Sequence, residues 1–152
     1  MGGHRPRLRS ILAAALVAAL VSGAPSTVWA LVTGADPLNA ARAAGTLVAP
    51  KRERGSLLVG GVVHGVISVV WTAVLATVLP ARHRVGWGAA AGAGIAVLDL
   101  GVIGRRFPQI RQLPWIPQLA DHIAFGLLVG LVLDRSTDSP NSMAASSPER
   151  KA

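Results

Sequence analysis

Two stretches of this chain carry no charged side chain. Residues 10–35 and residues 55–81 contain no Asp, Glu, Lys or Arg, and His64 is the one titratable group in either. Each run exceeds the ~20 apolar residues that carry a helix across a hydrocarbon core ~30 Å thick. A helix at the surface of a soluble core keeps a polar face. These runs are apolar all round, so lipid is the better solvent for them, and the chain reads as an all-α integral membrane protein.

Composition agrees. Charged residues make up 14% of the 152, against about 25% in a soluble domain. The net charge of +8 first suggests nucleic acid, but the arginines lie in the short connections between apolar runs. Membrane proteins keep cations there to set orientation and to meet anionic head groups. No basic stripe with interleaved aromatics appears, so nucleic acid is not an expected partner. The absence of cysteine removes disulfides, thiolate metal sites and a cysteine nucleophile.

Four spans are expected, at about 9–32, 56–79, 85–104 and 117–134. The start, "MGGHRPRLRS" followed by "ILAAALVAALVSGA", has the basic and apolar regions of a signal peptide, with a small-x-small site near Ser22–Ala24. Pro25 would directly follow that cut and the apolar run continues to Val32, so an uncleaved first span is predicted. Pro25 should kink it, with Ser26 and Thr27 satisfying freed backbone groups. Asp36 and Pro37 suit the start of a short interfacial amphipathic helix over 37–47, and residues 50–55 a charged turn. Pro80 ends the second span. "RRFPQIRQLPWIP" holds three prolines that prevent a long helix, and Pro117 is placed to open the fourth. The chain divides into a membrane domain, 1–135, and a small, polar tail, 136–152, expected to be disordered.

Orientation is weakly written. An even number of spans puts both termini on one side, with eight basic residues there and seven on the other. The basic flank of the first helix favours cytoplasmic termini and a location in the cell membrane.

Glycines four apart mark candidate packing faces: Gly61 and Gly65 on the second span, Gly88 and Gly92 on the third, Gly126 and Gly130 on the fourth. Small residues at this spacing let helix backbones approach, which matters in lipid because no hydrophobic effect drives helices together. The pattern serves packing within the bundle or association with a second copy.

The polar residues at membrane depth are few. Asp99 interrupts "VLDLGVIGRR", and an ionised aspartate near the bilayer centre costs roughly 2.5–3.5 kcal/mol on an insertion scale. Following the chain up and down places His64, Asp99, Asp121 and His122, with Ser26 and Thr27, in one half of the membrane. His64 or His122 can bond Asp99. Arg105 and Arg106 are candidate ion-pair partners, and Arg106, seven residues on, shares its helix face. The cluster reads as a structural polar knot, as a proton or ion relay of Asp99, His64 and Asp121, or, with no metal-ligand spacing to support it, as a metal site. Ser68 and Thr72 are expected to bond carbonyls of their own helix.

The segments "GAPSTVWALVTGADPLNAARAAGTL", "DLGVIGRRFPQIRQLP" and "PQLADHIAFG" resemble parts of small, uncharacterised multi-pass membrane proteins of high-G+C Gram-positive bacteria (actinobacteria). The resemblance implies an integral membrane location and carries no catalytic residue or cofactor. The function expected first is a non-enzymatic membrane component that assembles with itself or a larger membrane partner. The alternative is a proton or small-ion transporter subunit. A membrane-embedded enzyme is a third class, but no activated nucleophile or general base with a partner is visible, so neither catalysis nor a cofactor is expected.

Overall fold

Lipid-filled runs dictate helices, and a computed structural model, which describes residues 7–48 and 56–137, shows helices as the regular structure of those residues. They are α1 (Leu8–Val21), α2 (Ala24–Thr33), α3 (Asn39–Gly45), α4 (Leu57–Val78), α5 (Arg84–Leu98), α6 (Pro108–Arg111) and α7 (Trp115–Thr137). A π-helical turn (Asp99–Ile103) and a 3-10 turn (Gly104–Arg106) extend α5. Four segments are long and apolar enough to cross a membrane: Leu8–Thr33, Leu57–Val78, Arg84–Arg106 and Trp115–Ser136. The protein is therefore a multi-pass helical membrane protein. The turn expected over 50–55 lies outside the described residues. So does the tail beyond 137, but its expected start at 136 was too early: Ser136 and Thr137 continue α7, and the Ser136 hydroxyl donates to the Leu133 carbonyl at 2.9 Å.

The first span is two helices. It breaks at Ser22–Gly23, two to three residues before Pro25, which falls in the first turn of α2. There its missing N–H is no loss, because first-turn amides have no partner within their helix. The Thr27 hydroxyl (2.8 Å) and the Ser26 hydroxyl (3.2 Å) both donate to the Gly23 carbonyl. Gly34, at φ 71°, ends α2 in the left-handed region that glycine adopts without strain. α3 starts later than expected, because the Asp36 carboxylate takes the Leu38 N–H at 2.9 Å and pairs with Arg42, which fixes a turn ahead of the helix. α7 starts earlier than Pro117, as the Pro114 carbonyl accepts from Gln118 N–H (3.4 Å) and the first turn again tolerates proline.

The bundle is built around α7. Its largest interface is with α5; on its other side it meets α1 and α2, and α1 in turn packs on α4. α4 and α5 are consecutive in the chain but share no substantial interface. Accordingly 39% of the fourth span is buried, against 17–22% of the others. The core joins Ala14 and Ala18 of α1, Leu75 of α4, Ile95 of α5, and Phe125, Val129 and Leu133 of α7. Most large apolar side chains point outward instead, among them Leu20, Val32, Leu58 and Ile116, as lipid requires and water would penalise.

Glycine makes the α5–α7 interface. A Cβ on Gly88 would overlap the Gly126 carbonyl, one on Gly126 the Gly88 carbonyl, one on Gly92 the His122 carbonyl, and one on Gly130 the Arg84 carbonyl. Four of the six glycines chosen from spacing thus form one seam. Gly61 and Gly65 do not join it: a Cβ on either meets nothing within 4 Å. The close approach on α4 is made one residue earlier, where a Cβ on Gly60 would overlap the Ala41 carbonyl and one on Gly45 the Ser56 carbonyl, so that α3 lies against the start of α4. The expected bonds of Ser68 and Thr72 are also absent; the Thr72 hydroxyl is buried without a partner. Arg84, read as a loop cation, is 7% exposed and donates to the Leu133 carbonyl at 3.1 Å, tying the start of α5 to the last turns of α7.

Overpacking a tight seam costs typically 1–3 kcal/mol. Gly126→Leu should therefore lower stability by about 2 kcal/mol or more, while Gly94→Leu, where a Cβ meets nothing within 4 Å, should stay within about 0.5 kcal/mol of wild type. Thermal unfolding in mild detergent compares the two.

Candidate functional site

A break in a membrane helix frees peptide groups that hydrocarbon cannot hydrate. Here neighbouring spans supply the partners. On the carbonyl side, His64 of α4 reaches across to Ala19 of α1, with Nε2 3.0 Å from its carbonyl oxygen. On the amide side, the Ser26 N–H, in the first turn of α2, donates to Asp121 Oδ1 at 2.9 Å. A carboxylate at a helix N-terminus is favoured by both the hydrogen bond and the helix dipole. Asp121 lies almost two turns inside α7 and caps the start of α2 rather than that of its own helix.

His122, the next residue, faces α5. Its Nδ1 is 2.7 Å from the Gln118 carbonyl and its Nε2 3.4 Å from Asp99 Oδ2. The close backbone approach of Gly92 to His122 brings the two elements within this reach. Asp99 begins the π-helical turn, whose Gly104 N–H returns to the Asp99 carbonyl. The π and 3-10 turns break the 3.6-residue repeat that put Arg106 above Asp99. Arg105 and Arg106 are exposed and neither forms the expected ion pair with Asp99, whose partner is His122.

The four candidate side chains thus fall into two sets. His64 and Asp121 hold the broken backbone; His122 and Asp99 pair with each other. Among the described residues, no three His, Asp or Glu side chains come together as a metal site would require. The groups that sequence reasoning missed are backbone atoms, the Ala19 and Gln118 carbonyls and the Ser26 amide, which no residue pattern displays. A signal for the break itself was present in Gly23 two residues before Pro25.

The hydrogen-bonding pattern has a chemical consequence. A carbonyl oxygen only accepts, so His122 Nδ1 carries the hydrogen donated to Gln118. In the neutral ring Nε2 is then an acceptor, as is an ionised Asp99 carboxylate. A bond between them needs one proton, held on either the imidazole or the carboxyl group. The same reasoning gives His64 a hydrogen on Nε2 and leaves its Nδ1 for other partners.

A double-mutant cycle checks the pairing. Asp99→Ala and His122→Ala should couple by about 1 kcal/mol or more in unfolding free energy, and Asp99→Ala with Arg106→Ala by less than about 0.5 kcal/mol.

Comparison with known proteins finds no matching family model, no matching curated protein and no matching solved structure.

Proposed function

We propose that this protein moves protons or small cations across the cell membrane, alone or as a subunit, with both termini cytoplasmic. The observation that carries the reading is the Asp99–His122 pair, which needs one proton to bond and offers that proton two positions. Ionisable side chains within membrane spans line proton and ion paths in many transporters. His64, from one further span, and Asp121, the residue before His122 on α7, extend the set, and a discontinuous helix at such a place is a recurring device of transporters. Asp99 takes and releases the proton, His122 shares it, and His64 and Asp121 position the broken span next to them.

Purified protein in liposomes tests this. Wild type should dissipate an imposed pH gradient when a potential drives it, and Asp99→Asn should fold with near wild-type stability yet leak no faster than empty vesicles. Folded Asp99→Asn that conducts like wild type contradicts the reading, as does wild type that conducts nothing.

A second reading is favoured by a different observation. Gly61 and Gly65 face open space on α4, where a helix of a second copy or of a larger membrane protein can approach closely. On this reading the protein is a non-enzymatic component of an assembly. Gly61→Ile with Gly65→Ile should then reduce the mass of the complex extracted gently from native membranes. A wild-type protein recovered as a single chain counts against it.

A further inference from the structure

The two halves of the first span are held to different extents, and this makes the break a joint: both pack on α7, but only α1 also has a substantial interface with α4. α1 is fixed along its length by α7 and α4, through Ala14, Ala15 and Ala18, all buried. α2 buries only Ala30, and the elements it packs against include no other span as extensive as α7. Among the described residues, its one hydrogen bond to a side chain of another span is Ser26 N–H to Asp121. The backbone at the joint, Ser22–Gly23, includes a residue without a side chain, and a Cβ on Gly23 would meet nothing within 4 Å.

We propose that α2 is a movable half-helix whose docked position is latched by the ionised Asp121 carboxylate, and that proton uptake by this carboxylate releases it. A hydrogen bond to an ionised acceptor is roughly twice as strong as one to a neutral acceptor, and neutralisation also removes the attraction between the carboxylate and the α2 dipole. The other charged or titratable groups around the joint do not substitute for it. His64, from α4, holds the Ala19 carbonyl of α1 through Nε2–H, which is present in both the neutral and the charged ring. His122, from α7 itself, faces Asp99 of α5, and a proton on His122 strengthens that pair. α2 carries no titratable side chain of its own. Acid therefore weakens the hold on α2 and keeps α1, α4, α5 and α7 together. The inference concerns movement of one half-span and holds whether or not protons cross the membrane.

The chain has no native cysteine, so two introduced ones are the only attachment points for spin labels. Val32→Cys on α2 and Val97→Cys on α5 replace exposed residues on helices that each pack on α7. In lipid bilayers under mildly alkaline conditions the label distance should form one narrow population. Acidification should add a second, longer population. Asp121→Asn should show that longer population at every pH, and Asp121→Glu should restore the response to acid. An unchanged wild-type distribution on acidification overturns the proposal, and so does an acid response that persists in Asp121→Asn. Should Asp121→Asn fail to fold, the wild-type titration and Asp121→Glu decide alone. These readouts fail or succeed separately from proton flux.

Discussion

The hydrogen bonds across the break in the first span are the constraint on which the rest of the bundle depends. Water would satisfy an interrupted helix at little cost. Lipid does not, and an unsatisfied peptide group there costs several kcal/mol. The Ala19 carbonyl and the Ser26 amide must therefore find partners on other spans, and they find His64 and Asp121. Those two bonds set the level at which α4 and α7 pass α1 and α2. They also account for why a histidine and an aspartate are tolerated in runs that are otherwise apolar.

The opposite side of α7 is organised by close approach. Gly88, Gly92, Gly126 and Gly130 bring α5 and α7 into backbone contact, and the same approach lets His122 meet Asp99. One helix thus presents Asp121 to the broken span and, one residue later, His122 to the third. Neighbouring positions on a helix point about 100° apart, so α7 reaches both flanks at a single level. The central place of α7, the most buried of the four spans, follows from carrying both contacts.

Much of this was legible in the sequence because lipid imposes strong rules. The four spans lie within two residues of their expected ends, since long uncharged runs allow little else. Counting residues along antiparallel helices gave the expectation of His64, Asp99, Asp121 and His122 in one half of the membrane; the structure joins Asp99 to His122 and gives His64 and Asp121 backbone partners in the first span. Spacing did not reveal which glycines touch: Gly61 and Gly65 satisfy the same rule as Gly88 and Gly92, yet Gly60 makes the contact. A spacing rule defines a stripe on one helix, and only the neighbour's position selects it. Arg106 was misplaced because a π-helical turn changes the register after Asp99, and Arg84 was placed in the loop before the third span because nothing local shows that the end of α7 lies over it. The Asp121 role was hidden for a similar reason: its partner is a backbone amide 95 residues away.

The polar side chains therefore divide into two sets: His64 and Asp121 bond the broken backbone, and Asp99 and His122 bond each other. The central claim is that side chains from other spans satisfy the break, and amide hydrogen exchange at Ser26 in lipid nanodiscs tests it most directly. The account predicts slow exchange at Ser26 in the wild type and a large acceleration confined to Ser26 and its neighbours in Asp121→Ala. Fast exchange at Ser26 in the wild type, or exchange unaltered by Asp121→Ala, would contradict it.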